Sequence, residues 1–508
     1  MTVPADVAPV SSRDHGCLPN WRDADLPEPL PFSFWNMLRT IGPGAILLAG
    51  AIGGGEWIVG PKMAVDYGTS ILWIATIGII LQTTFNLEAI RYTLYTGEPI
   101  LTGIMRLSPG PKFWAPFYIM IGVAQLATPA LAAGCAVVLF GAIDGEMPGE
   151  ADKPTLDLIA RGIIVASALM LLSGKSIEKL LEKASWAMIV FIFVFLIAIN
   201  VYAVPFETSL HTLQGFLTIP WFAADESLVV SMGQTSVPIR IFPAGISLVM
   251  LGLFAATSGS GGLGNLAVTN WFRDKGFGMG AHVGGIGGAL SSEHATLQPV
   301  GVVFPLDESN TRKWKTWWRY ALLDQQALWA GGCFLGMYLN VNLAIALIPP
   351  GEQVTGYNVG AFQAEHLAKQ LWQGLWLLTL LNGFWILYST HLGNTDVLVR
   401  TVADILWAAC PPVRRWPASR LYAVLLIVLT AWALYSVGLG TVLDLFSVLG
   451  IVASPILAIA AVQILRINLR FLPRPLQPSI WRCIGLVLCT LAYGTITVAL
   501  IAKMVLPK

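Results

Sequence analysis

The stretch Gly42-Pro-Gly-Ala-Ile-Leu-Leu-Ala-Gly-Ala-Ile-Gly-Gly-Gly-Glu-Trp-Ile-Val-Gly-Pro61 decides how the remainder of the chain is read. It is apolar enough to lie in a bilayer, yet three consecutive glycines, Gly53, Gly54 and Gly55, occupy its midpoint and Glu56 follows at once. Glycine in a helix interior costs roughly 1 kcal/mol relative to alanine, and a carboxylate at mid-membrane costs about 2.5–3.5 kcal/mol on insertion scales. Both are tolerated where the helix is broken and its freed backbone groups line a cavity instead of lipid. A break of this kind is where secondary transporters hold their substrate.

Composition agrees with a membrane setting. Of 508 residues, 55% are hydrophobic and only 12% are charged, against about 25% charged in soluble proteins. A net charge of +1 gives no reason to expect nucleic-acid binding. The six cysteines, Cys17, Cys135, Cys333, Cys410, Cys483 and Cys489, show no metal-binding spacing. Residues 1–34 are polar and proline-rich, without a signal peptide, and read as a disordered cytoplasmic arm.

Apolar runs of about 20 residues give eleven expected spans, near 42–65, 70–96, 113–142, 157–173, 184–204, 241–270, 317–346, 371–396, 419–437, 440–465 and 482–506. Lys and Arg cluster after every second span, at Arg106 and Lys112, at Lys175 to Lys183, at Arg273 to Arg319, at Arg400 to Arg420 and at Arg466 to Arg474. The positive-inside rule then places the N-terminus in the cytoplasm and the C-terminus outside, in an integral protein of the plasma (inner) membrane.

The sixth span repeats the oddity of the first. Phe254-Ala-Ala-Thr-Ser-Gly-Ser-Gly-Gly-Leu-Gly-Asn265 puts a run of glycine and serine at mid-membrane. Two glycine-interrupted helices at matching places of two five-span halves point to an inverted repeat; the plainer alternative is close helix packing at small residues. The organisation expected is an all-α membrane protein with a first repeat over 35–204, an external loop over 205–240, a second repeat over 241–466 and an eleventh helix over 479–508.

Gly42-Pro43-Gly44, the break, Gly68, Leu72-Trp73 and Thr96-Gly97 resemble the opening of the Nramp family of proton-coupled divalent-metal transporters. Arg319-Tyr320 with Asp324, Ser389-Thr390 with Gly393, and Pro455 resemble its seventh, eighth and tenth helices. The resemblance covers roughly residues 35–505 and implies a LeuT-type fold, a 5+5 inverted repeat with broken helices 1 and 6 and about eleven transmembrane helices. The departures fall on the metal site. Where the family has Asp-Pro-Gly-Asn, this chain has Gly53, Gly54, Gly55 and Glu56; where it has Met-Pro-His, Gly259, Ser260 and Gly261 stand; its helix-ten glutamine is matched by Ser447. The thioether that favours transition metals and the principal carboxylate are absent, so the chain reads as a divergent member.

Two readings of the pocket follow. In one, Glu56 is the hard oxygen ligand of a hydrated divalent cation such as Mg2+, which keeps several waters. In the other, a small anion or zwitterion (an oxyanion, carboxylate or amino acid) sits on half-helix N-termini, and Glu56 serves a coupling cation or carries a proton. Either way the expected site is Gly53, Gly54, Gly55, Glu56 and Trp57 facing Thr257, Ser258, Gly259, Ser260 and Gly261. Candidates for a coupling or proton path are Glu88 and Arg91, three apart on one helix face, with Asp324, Ser389, Thr390 and His391. For Glu88 and Arg91 the alternative is a structural ion pair; for Asp324 it is a pair with Arg319 or a nearby lysine.

The function expected is secondary active transport of a small polar solute by alternating access, weighted by the resemblance towards a divalent metal with proton coupling. An ion channel is the minor alternative. An enzyme is not expected, since no Ser/His/Asp or HExxH arrangement is present. No cofactor is expected beyond a transported or coupling ion, Mg2+, H+ or Na+. The partners are the lipid bilayer and the solute, and oligomeric state is left open. The glycine-rich loop at 274–315 lacks a preceding strand and a Walker lysine, and reads as a gate element.

Overall fold

The computed structural model describes residues 14–40, 42–173, 177–219, 246–286, 297–352 and 354–505. Trp221, Phe222, Glu293 and His294, residues 1–13 of the expected arm, and most of the expected 205–240 loop lie outside them.

Over their described residues, all eleven expected spans are mainly helical. Among the described residues nine helices are long and apolar enough to cross a bilayer: Pro43–Ile71, Trp73–Thr96, Pro111–Asp144, Glu150–Leu172, Ser185–Ala203, Glu308–Leu347, Ala418–Leu439, Val442–Phe471 and Ile480–Lys503. The sixth span is two short helices, Leu248–Thr257 and Leu263–Asp274, and the eighth is Leu375–Ala409. The most apolar window of the first span is 94% buried and that of the eleventh 22%. The broken helix is therefore the centre of the bundle, and the last helix lies at its lipid-facing rim.

Several boundaries differ from expectation for identifiable reasons. The seventh helix starts at Glu308, where the Asp307 side chain accepts from Asn310 N–H at 2.7 Å, so its first turns are polar. The eighth helix runs on to Ala409 because Asp396, Arg400 and Asp404 find partners inside the protein. The third span divides into Pro111–Leu126 and Ala130–Asp144, since Pro129 has no N–H to continue the ladder. A further helix, Phe206–Leu217, precedes the undescribed part of the 205–240 segment and packs Phe216 against Phe334 and Tyr338.

The N-terminal segment corrects the expectation of a disordered arm. Residues 14–33 lie folded over the end of the bundle that carries the arginine clusters. Arg22–Asp23 pairs in parallel with Val302–Val303, a two-residue ladder in an otherwise helical protein. Trp21 and Leu26 are buried. Leu26 N–H donates to Asn310 Oδ1 at 3.0 Å, and Trp317 Nε1 and Tyr320 OH donate to the carbonyls of Pro27 and Pro31 at 2.9 and 3.1 Å.

Candidate functional site

The two breaks face one another. In the first span the half-helix Pro43–Ala51 ends, the chain turns at Ile52 and Gly53, and a π-helical turn, Gly54–Val59, opens the second half. A Cβ at Gly53 would collide with the Thr390 side chain, and one at Gly55 with the Thr257 carbonyl. Glycine is thus required for the closeness of the breaks. In the sixth span Gly261 and Gly262 have φ of +64° and +94°, a region that L side chains rarely enter.

Side chains from neighbouring spans bind the broken ends. Thr390 Oγ1 donates towards the Ala49 and Ile52 carbonyls, both at 3.0 Å, and Ser389 Oγ reaches the Ala49 carbonyl at 3.1 Å. Gln125 donates to the Gly261 carbonyl and accepts from Leu263 N–H at 3.1 Å. Gln82 donates to the Ala256 carbonyl at 3.0 Å and accepts from Gly261 N–H at 3.4 Å. Asn265 caps its own half-helix by accepting from Gly262 N–H at 2.9 Å. From there amides run through Asn86 and Gln325 to Asp324, whose Oδ1 accepts from Gly42 N–H at 3.2 Å. This chain joins the start of one half-helix to the start of the other. Sequence reading passed over Gln82, Asn86, Gln125 and Asn265, although an amide side chain within an apolar span was the available signal.

Between the breaks lies a small, partly open cavity. Of the candidate site residues, Gly54, Gly55, Thr257, Gly259, Ser260 and Gly261 line it, together with Gln125, Thr390, Asn394 and Phe446. Other expected residues sit elsewhere. Glu56 is fully buried and turned to its own helix start, its Oε2 accepting from Gly53 N–H at 3.0 Å, beside Gly336 of the seventh span. Its Oε1 has no hydrogen-bond partner. Trp57 donates to the Gly360 carbonyl at 3.0 Å, and Ser258 Oγ back-bonds to the Phe254 carbonyl at 2.5 Å.

The remaining candidates separate in the same way. Glu88 and Arg91 form a two-bond ion pair at 2.7 and 3.1 Å, which Arg482 and Asn468 complete and Trp318 covers at 4.1 Å. That geometry is the structural-pair alternative. Asp324 pairs with Gln325 and the Gly42 backbone, and Arg319 instead lies over Phe32. His391 lines a second, somewhat larger cavity beside the first. Among the described residues no cluster of three or more His, Cys, Asp or Glu is placed to hold a metal ion.

No family model matches the chain. An uncharacterised protein of Pasteurella multocida (strain Pm70) is 27% identical over 230 residues, 44% of this chain and 50% of that protein, so the chain matches about half of that relative's length. The manganese transporter of Eremococcus coleocola, solved with an aromatic bis-isothiourea compound, superposes with a TM-score of 0.61 at 14% identity, over 98% of this chain and 91% of that one. A single-residue variant of the same transporter gives 0.60 at 14% identity, over 95% and 91%. At such identity the likeness is one of fold. The chain is an all-α integral membrane protein of the LeuT-type fold, with two five-helix repeats, broken helices 1 and 6 and an eleventh helix.

Proposed function

We propose that the chain is a secondary active transporter working by alternating access, and that the cavity between the breaks holds a small anionic or zwitterionic solute. One observation carries this reading. Gly54 and Gly55, in the first turn of a half-helix, line the cavity, while no carboxylate is among its lining residues. First-turn N–H groups have no intrahelical acceptor, and the helix dipole places partial positive charge there. The other lining groups, Gln125, Thr257, Ser260, Thr390 and Asn394, are neutral hydrogen-bonding side chains. By the Lys and Arg bias of the loops, the N-terminus is placed in the cytoplasm.

The buried, unpartnered Oε1 of Glu56 favours a second reading. There a hydrated divalent cation such as Mg2+ is the solute and Glu56 its protein ligand, as the family resemblance suggests. A stability screen of the purified chain separates the two. A ligand that binds only the folded state stabilises it by about 2.7 kcal/mol at a hundredfold excess over its Kd. The first reading expects shifts with phosphate, succinate or L-alanine and none with Mg2+ or Mn2+. A metal shift that disappears in Glu56→Gln replaces it with the second.

A further inference from the structure

A second cavity adjoins the one between the breaks. Leu126, Leu131, Asn394 and Leu449 line both the first cavity and this larger one, so the two adjoin across these residues. The larger chamber lies between the third, fourth, eighth, ninth and tenth spans, with Thr128, Asn394, Thr395 and Thr430 as neutral polar groups on its wall. His391 is the one titratable side chain among the described residues lining either cavity. It is 7% exposed, and its Nε2 has no hydrogen-bond partner.

We propose that His391 is the proton-carrying group beside the cavity between the breaks, binding one proton together with a small carboxylate or oxyanion so that one negative charge of the solute is balanced. The inference rests on the anion reading given above. The half-helix start offers only about half an elementary charge, so with neutral side chains around it an anion taken out of water is compensated in part, and burying an unpaired charge is costly. An imidazole that takes up a proton supplies the missing charge, and its free N–H then becomes a donor to the anion.

Among the described residues, the titratable groups nearest in the packing around the eighth helix bond to partners other than His391 or, like Cys135, to none. Asp396 and Arg400 on the same helix pair with each other, and Tyr422 of the ninth span donates to Asp396. Arg273 and Asp274 of the sixth pair with Asp404 and Arg400. Tyr118 of the third donates to Gln463, Cys135 is a free buried thiol and Glu56 caps Gly53. None of them bonds to His391.

The test is calorimetric titration of the purified full-length chain with phosphate, succinate and L-alanine, each in buffers of different ionisation enthalpy at several pH values. The expected result is uptake of about one proton per bound phosphate or succinate, with affinity falling about tenfold per pH unit on the alkaline side of the imidazole titration. In His391→Gln the proton uptake disappears and the pH dependence flattens. The wild-type proton count stands even if that variant fails to fold. Anion binding without proton uptake, or uptake unchanged in His391→Gln, overturns the role of His391 and leaves the anion reading intact. Binding of L-alanine alone, independent of pH, does the same and keeps a zwitterion as solute. Binding of Mg2+ in place of all three probes overturns both.

Discussion

Glu98 shows how one side chain is held out of water in this protein. Its carboxylate is almost fully buried beyond the end of the second span and receives Arg106 through Nε at 2.8 Å and Nη2 at 2.5 Å, Tyr92 OH at 2.5 Å and Gly301 N–H at 2.9 Å. Burial alone raises its pKa, but the Arg106 charge and these hydrogen bonds outweigh it and hold the group below the usual glutamate value. The sign follows from that depression. The contribution to stability is fully present above the unfolded value of about 4.3 and is lost as pH falls through the lower folded value. Glu98→Gln removes one partner of a buried pair, so stability at neutral pH should fall by about 3–5 kcal/mol. Its acid unfolding should be shallower than that of the wild type. Denaturation midpoints of the two proteins across pH 3–7 check both expectations. Glu56 is a different case, because legibility failed in direction only. The sequence marked it as a buried carboxylate at a helix break, and it is one. Which way a side chain points from a glycine turn depends on the neighbouring spans, here Gly336 of the seventh, which no local pattern reports.

At the scale of elements, the two breaks were legible because glycine clusters inside apolar runs have few structural uses. The partners of the broken ends were less so. Gln125 and Gln82 each serve the sixth-span turn from another helix, 136 and 179 residues away in sequence for their bonds to Gly261. Such pairing leaves no periodic trace. Its energetic meaning is direct: the turn at 258–262 exposes backbone groups in a medium without water, and each must find a partner. Gln125→Leu leaves the Gly261 carbonyl and the Leu263 N–H without theirs, at about 1–3 kcal/mol for each group. Gln125→Glu keeps an acceptor for Leu263 and, only when protonated, a donor for the Gly261 carbonyl, so its loss of stability should be smaller at acid pH than at neutral pH. Gly262→Ala strains the turn differently, placing a Cβ at φ +94° and 3.1 Å from the Ala453 carbonyl. It should impair solute binding in the stability screen even where the protein still folds, since the sixth-span wall of the cavity must shift.

Across the whole molecule, the eleven spans and their break points follow from hydropathy and glycine placement, whereas the N-terminal strap does not. Its composition, rich in proline and charge, is what disordered segments share. Its order comes from partners far along the chain. Arg106 donates to the carbonyls of His15 and Pro19, both at 2.9 Å, and stacks over Trp21 at 4.3 Å. Trp21 in turn meets Phe471 at the end of the tenth span, and Arg470 pairs with Asp14 at 2.5 Å. The strap thus ties the segment after the second span, the strand before the seventh helix and the end of the tenth span to one another. Amides that donate into this arrangement, Arg22 to Gly301 at 3.1 Å, Ala24 to Val303 at 3.0 Å and Leu26 to Asn310 at 3.0 Å, should be protected from hydrogen exchange in the intact protein. A disordered arm would exchange at the rate of a free peptide. Asn310→Ala removes the acceptor of Leu26 and the donor that reaches the Pro305 carbonyl at 3.1 Å. Protection at residues 22–26 should then drop while that of the central spans is retained, because the strap opens as a local unit before the bundle does. Equal loss of protection in both regions would instead mean that strap and bundle unfold together.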